Sequence, residues 1–222
     1  MKQPSLKNID SLDIDFVCQA IEKSFNIKFK ENELLKVKNL GDLCDLTAAK
    51  INLENSETCT NQEAFYKIRD SFSEILKYEK NLINPQTQIS KILPRQNRIK
   101  NIKLIEKKIG YKLNILQPPN WIIGILIISF IVGIIYLFID TFYGVVIIGT
   151  SYLAIQICND YGKELKFSTF GELTENSVLN NYAKSRKRSE TFNKTEVENV
   201  VIGLFTNLLD FPKNELNRNT EF

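Results

Sequence analysis

The sequence predicts an all-α protein anchored in a membrane, and three observations support that class. Two apolar runs without charged residues follow each other closely in the region 121–158, as in a hairpin of membrane-spanning helices. Outside this region, apolar residues recur at helical spacing. The segments 51–61 and 185–194 are polar and read as linkers between helices.

Composition excludes several kinds of chemistry. The sequence contains no histidine, so catalysis by a histidine base and zinc sites with histidine ligands are excluded. Its cysteines, Cys18, Cys44, Cys59 and Cys158, form no Cys-x-x-Cys pair. Because Cys18 and Cys44 lie within apolar helical patterns, we expect reduced core thiols, which fit a reducing compartment. With no catalytic constellation and no metal-ligand cluster, we expect neither an enzyme nor a metalloprotein. The first residues carry no apolar run, so no cleaved signal peptide is expected.

The apolar runs are both close to the shortest that cross a bilayer. Trp121 to Phe138 comprises 18 residues and Phe142 to Cys158 comprises 17, against roughly 17–25 for a spanning helix. Residues 139–141 form the predicted turn on the far side. A buried hairpin of a soluble protein and a re-entrant hairpin are the alternatives.

Aromatic and glycine residues are placed as a membrane hairpin requires. Aromatic side chains at the ends of the runs indicate the two membrane interfaces, and glycines in the second run would allow the helices to approach closely. The interface residues are Trp121 on the near side and Tyr136, Phe138, Phe142 and Tyr143 on the far side, and the glycines are Gly144 and Gly149.

Basic residues flank the hairpin on both sides. Residues 61–118 carry 12 basic and 5 acidic side chains, which suits an anionic membrane surface. Cations on both flanks predict that both ends of the chain are cytosolic, at the cytoplasmic membrane. They are Arg98, Lys100, Lys103, Lys107, Lys108 and Lys112 before the hairpin, and Lys163, Lys166, Lys184, Arg186, Lys187 and Arg188 after it.

The soluble segments contain an internal repeat made of three matching pairs. Residues 72–89 match 205–222, residues 20–29 match 104–113, and residues 35–43 match 165–173. The pairs assemble into two copies of one helical unit. One copy is interrupted by the hairpin, and the other is split between the two ends of the chain. Each half of the split copy exposes an apolar face, so we expect the halves to pair, either within one chain or in a homodimer that exchanges terminal helices.

The unit resembles the acyl carrier protein family, a small helical bundle that carries phosphopantetheine. The resemblance rests on Asp10-Ser11-Leu12-Asp13 at a helix start, on residues 20–25 at the family's spacing from the serine, and on Leu40-Gly41-Asp42-Leu43 at the start of a last helix. Residues 195–222 look like the family's first helix and loop. The family's glycine before the motif is absent, with Asn8-Ile9 in its place.

The resemblance implies a fold of two acyl-carrier-like bundles with defined boundaries. Carrier-like helices two to four occupy 1–50 and helix one occupies 195–222. A degenerate copy has helices one and two in 62–115 and helices three and four in 161–184, on either side of a transmembrane hairpin at 116–160. In this degenerate copy Arg95 stands at the serine position, so it carries no prosthetic group. Its basic helix is expected to contact anionic lipid, an acidic partner, or only solvent.

For function, the resemblance implies that Ser11 is the attachment residue for phosphopantetheine and that Asp10, Leu12, Asp13, Asp15 and Glu22 dock partner enzymes. Those partners would be a phosphopantetheinyl transferase and acyl-processing enzymes, with the lipid bilayer as the anchor and no nucleic acid. The alternative for Ser11 is a plain helix cap. The predicted function is therefore a membrane-tethered carrier that presents an acyl intermediate or holds lipid- or polyketide-type synthesis enzymes at the membrane. The alternative is a non-catalytic scaffold without a prosthetic group.

Overall fold

The computed structural model describes residues 6, 9–188, 190–212 and 215–222. Helices dominate this part of the chain, which confirms the all-α class, and the strands are only two residues long. The helices are α1 (Ser11–Phe25), α2 (Glu31–Leu34), α3 (Leu40–Lys50), α4 (Thr60–Leu76), α5 (Ile89–Ile92), α6 (Arg98–Ile109), α7 (Asn120–Tyr136), α8 (Thr141–Tyr161), α9 (Phe170–Ser185) and α10 (Lys194–Leu209). The strands are β1 (Glu54–Asn55), β2 (Leu116–Gln117), β3 (Glu164–Leu165) and β4 (Thr191–Phe192).

The chain divides into two compact units. The first unit contains residues 1–71, 109–111 and 171–222, and the second contains residues 72–108 and 112–170. Each unit therefore combines segments that are distant in sequence.

The core of the first unit joins helices from the two ends of the chain. Helix α10 packs on α1 and on α3, and their apolar faces form one buried cluster. On α1 the buried positions Val17, Ile21 and Phe25 recur every four residues, which places them on one helical face. The terminal segments thus pair within a single chain. The buried residues of α10 are Val197, Val200, Val201, Ile202, Leu204 and Phe205.

The tail that follows α10 supplies hydrogen-bond acceptors for the first N–H groups of α3. The Leu40 N–H donates to the Thr220 carbonyl at 2.9 Å, and the Gly41 N–H donates to the Arg218 carbonyl at 2.8 Å. A Cβ on residue 41 would lie 3.0 Å from that Arg218 oxygen, so glycine is needed for the close approach. The first N–H groups of a helix have no partner within the helix, and here the tail supplies two.

The two segments predicted as linkers pair with each other in the first unit. Strands β1 and β4 run parallel, with Glu54 opposite Thr191 and Asn55 opposite Phe192. The segments therefore make backbone hydrogen bonds, although their polarity predicted none.

The second unit contains the apolar hairpin of α7 and α8. The Asp140 carboxylate caps α8 by accepting from the Phe142 N–H at 3.0 Å and the Tyr143 N–H at 3.3 Å. The turn comprises residues 137–140, one position earlier at its end than predicted, because Thr141 already belongs to α8. The Ser129 and Ser151 hydroxyl oxygens lie 2.9 Å apart and hydrogen-bond across the two helices.

Glycines allow the two hairpin helices to approach closely, but only one is among those predicted. A Cβ on Gly144 would lie 2.8 Å from the Leu137 Cα, and one on Gly133 would lie 2.8 Å from the Ile148 Cγ1. A Cβ on Gly149 would meet no atom within 4 Å. The prediction for Gly144 is thus confirmed and that for Gly149 is wrong, because Gly149 lies on the outer side of α8.

A two-stranded sheet and a buried arginine connect the segments at the end of the hairpin opposite its turn. Strands β2 and β3 pair antiparallel directly before α7 and after α8. A Cβ on Gly162 would lie 2.6 Å from the Gln117 carbonyl oxygen, so only glycine fits beside β2. Arg98 is 7% exposed and donates to the carbonyl oxygens of Leu93 and Lys163. Arg98, one of the cations that precede the hairpin, therefore contacts these carbonyls inside the unit and is not a surface cation.

The lengths of the hairpin helices differ. Within the described residues, α8 is long and apolar enough to cross a membrane, whereas α7 is apolar but has 17 residues. Their outer side chains are exposed, as a lipid-facing surface would be.

Local geometry recurs at the matched positions of the repeat. The Asn84 N–H donates to the Thr87 hydroxyl at 2.9 Å, and the Asn217 N–H donates to the Thr220 hydroxyl at 3.0 Å. Isolated bridges join Gln88 to Thr169 and Asn39 to Glu221, again at matched positions. Left-handed residues also coincide, with Lys77 at φ 54° and Asp210 at φ 53°.

We expect Gly133→Val to destabilise the hairpin by about 1–3 kcal/mol, the usual cost of overpacking. Its side chain would collide with Ile148, whereas the matched control Gly149→Val points away from α7. Thermal unfolding in detergent, followed by far-UV circular dichroism, measures the difference. Equal melting temperatures for the two variants would contradict this packing.

Deletion of 195–222 should make residues 11–50 protease-sensitive. The deletion removes the six buried apolar side chains of α10, each worth about 1.5–3 kcal/mol, which together exceed the stability of a typical domain. Limited proteolysis with peptide mapping follows the change, and cleavage within 72–108 serves as the internal reference. Unchanged resistance of 11–50 would argue against the pairing.

Candidate modification site on helix α1

Ser11 is the first residue of α1 and is exposed to solvent. The helix is capped by the residue before it, since the Asp10 carboxylate accepts from the Leu12 N–H at 3.1 Å. The Ser11 hydroxyl lies 3.4 Å from the same carboxylate oxygen, a long and weak hydrogen bond. The interpretation of Ser11 as the cap is therefore wrong, because Asp10 has that role.

The surface around Ser11 is acidic and apolar. Asp13 and Asp15 are exposed, and Asp13 in the first turn interacts favourably with the positive end of the helix dipole. Leu12 is 72% exposed and Phe16 is 57% exposed, so two large apolar side chains of α1 have no full cover in the chain. Asn8, which stands before the motif, lies outside the described residues.

Glu22, also predicted to dock partners, binds within the chain. Its carboxylate accepts from the Phe29 N–H and from the Lys28 ammonium group, each at 2.7 Å. This contact fixes the loop after α1, which turns at Asn26 with φ 56°. Docking by Glu22 stays a prediction.

The contact of Glu22 with the loop after α1, which we call the loop clamp, has an equivalent after α6 in the second unit. Glu106 accepts from the Leu113 N–H at 2.9 Å and from the Lys112 ammonium group at 3.0 Å. At the position matching Ser11, Arg95 makes an ion pair with Glu164 at 2.6 Å. This copy of the motif retains the clamp and has no hydroxyl to modify.

The predicted interface residues lie at the ends of the hairpin helices. All of them are exposed, and the rings of Phe142 and Tyr143 make an edge contact at 5.6 Å between centroids. Trp121 lies in the first turn of α7, at the opposite end from the turn.

A buried polar network of the first unit was not predicted from the sequence. Arg186, one of the cations that follow the hairpin, is 1% exposed, so its charge lies inside the unit and not at the surface. It donates to the Thr58 hydroxyl at 2.7 Å and lies 3.8 Å from the Glu196 carboxylate. Glu196 also accepts from the Thr60 N–H at 3.0 Å. No local pattern identifies this arginine as buried, because Thr58 and Thr60, which accept from it, lie more than 100 residues away in sequence.

Two of the cysteines are buried thiols, as expected. Burial, together with the charges of Asp15 and Glu22, raises the pKa of Cys18 to about 11. Burial, with the charge of Glu198, raises the pKa of Cys44 to about 12. Both are free and stay protonated at neutral pH, which makes them poor nucleophiles. Within the described residues, no acidic or cysteine side chains group as metal ligands would.

Comparison with known proteins finds no matching family model, no similar curated protein and no similar solved structure. The resemblance to the acyl carrier family therefore stays a prediction based on the residues quoted above.

Proposed function

We propose that this chain is a membrane-tethered carrier-like protein that presents an acyl or biosynthetic intermediate on Ser11, or holds lipid-synthesis enzymes at the membrane. The observation that carries the proposal is the position of Ser11, whose exposed hydroxyl opens α1 beside an Asp10 that already caps the helix. The helix therefore does not need the hydroxyl as its cap, and a transferase could reach it.

The residues around Ser11 leave its hydroxyl accessible to a phosphopantetheine group. Within the described residues the hydroxyl makes one long contact, with Asp10, and the side chains of Leu12 and Asp13 next to it are exposed. Phosphopantetheine supplies a terminal thiol that holds acyl groups as thioesters. Ser11 would hold its phosphate, and the exposed Asp13 and Asp15 would attract basic partner enzymes.

The membrane tether is the second part of the proposal. The exposed apolar surface of α7 and α8 would face lipid, with α8 spanning the bilayer and the shorter α7 crossing beside it. The exposed cations Lys100, Lys103 and Lys107 share one side of α6, and with Lys163 they would lie at a cytosolic surface.

A scaffold without a prosthetic group is the second candidate. It is favoured by the second unit, where the Glu106 clamp is present although Arg95 replaces the serine. The loop geometry is thus compatible with a unit that carries no group. Both α1 and α6 would then serve as docking surfaces of opposite charge.

Co-expression with a phosphopantetheinyl transferase should add the mass of the prosthetic group to the intact chain. Ser11→Ala should abolish the gain, whereas the control Ser90→Ala, also an exposed serine at the start of a helix, should keep it. Intact-mass spectrometry reads the result. A folded chain that gains no mass would exclude the carrier function and leave the scaffold.

At both ends of the chain a fluorescent-protein fusion should be active and an alkaline phosphatase fusion inactive, because cations flank both legs of the hairpin and predict cytosolic ends. An alkaline phosphatase and a fluorescent-protein fusion at each end measure the topology. Phosphatase activity on the far side of the membrane at either end would contradict the two-span arrangement.

A further inference from the structure

Apolar and basic side chains together line a groove in the first unit, beside the polar Gln19, Asn26 and Asn180. It has a volume of about 790 Å³ and lies between α1, the loop after it, and residues of α9 and α10. The half-exposed or exposed side chains of Phe16, Ala20, Ile27 and Leu208 line it. Phe16 and Ala20 are four residues apart and therefore share one face of α1.

The charges at this groove are positive and only partly neutralised. Lys23, Lys28 and Lys184 line it together with Glu22. Glu22 is occupied by Lys28 at 2.7 Å. Among the described residues, no carboxylate forms an ion pair with Lys23 or Lys184, and both are exposed. A ligand for this groove should therefore combine apolar surface with negative charge.

From this arrangement we infer that the groove binds a single-chain anionic amphiphile, with its acyl chain along Phe16, Ala20 and Leu208 and its head group between Lys23 and Lys184. A peptide in extended form would need a strand edge for its backbone hydrogen bonds, and the walls here are helices and a loop. An acyl chain needs no such partners, and its burial beside Phe16 is favourable. The inference does not depend on modification of Ser11.

Photo-crosslinking of the full chain in phosphatidylcholine nanodiscs tests the inference. The probes are a sixteen-carbon fatty acid, a lysophosphatidylglycerol and a lysophosphatidylcholine, each with a diazirine in its chain. Peptide mass spectrometry locates the labels. We expect labels within 16–28, 180–184 and at 208 with one or both anionic probes, and fewer with the zwitterionic probe. Labelling by the fatty acid or by the phosphate probe identifies which head group binds.

Charge reversal supplies the matched controls. Lys23→Glu with Lys184→Glu should lower labelling of the groove about fivefold, as expected for the loss of two exposed charge contacts, without changing labels within 120–161. Lys36→Glu with Lys91→Glu changes the net charge equally, at exposed lysines that do not line the groove, and should leave it labelled. Circular dichroism confirms that both variants fold. Labels confined to 120–161 in the unaltered chain, or equal labelling of the groove in both double variants, would overturn the inference.

Discussion

The first unit depends on the contact between the tail after α10 and the start of α3. Thr220 and Arg218 accept the hydrogen bonds of Leu40 and Gly41, which no residue of α3 itself could satisfy. Closing so long a loop costs conformational entropy, and the buried apolar face of α10 offsets that cost. A side chain on residue 41 would separate these backbones, so Gly41 is required for the tail to contact α3 beside the packing of α10 on α1 and α3.

The sequence predicts the helices and the repeat well because both depend on local information. Helical spacing defines the buried face of α1. The matched segments 72–89 and 205–222 contain Asn84–Thr87 and Asn217–Thr220, which make the same hydrogen bond in the structure. The burial of Arg186 is different in kind. Its guanidinium donates to Thr58 and Thr60, and no residue spacing near position 186 indicates that these distant threonines are close to it.

The rotation of each helix about its axis explains why close packing was predicted correctly for Gly144 but not for Gly149. Composition indicates that small residues in an apolar run favour close packing, but it does not say which side of the helix faces the partner. Gly144 and Gly133 face inward, whereas Gly149 faces outward. In a uniformly apolar helix no polar face sets the rotation, so only the contact itself distinguishes these positions.

The loop clamps of Glu22 and Glu106 are shared by the two units, whereas the surface residues of α1 and α6 differ. Glu22 and Glu106 make equivalent bonds to a following backbone N–H and lysine, so the loop after each helix has a structural explanation. The outer residues differ: α1 starts with Ser11 and acidic side chains, whereas Arg95 and lysines occupy the matching region before and along α6. Since the same loop clamp occurs beside the acidic surface of α1 and the basic surface of α6, the clamp does not determine the charge of either surface.

Ser11, Leu12 and Phe16 belong to the part of α1 that the fold leaves free. Asp10 caps the helix without the serine hydroxyl, and the core on the opposite face is complete without the two exposed apolar side chains. Apolar side chains that remain in water on a helix forgo the free energy of burial. The stability of the first unit therefore does not explain why these two positions beside an accessible hydroxyl are apolar.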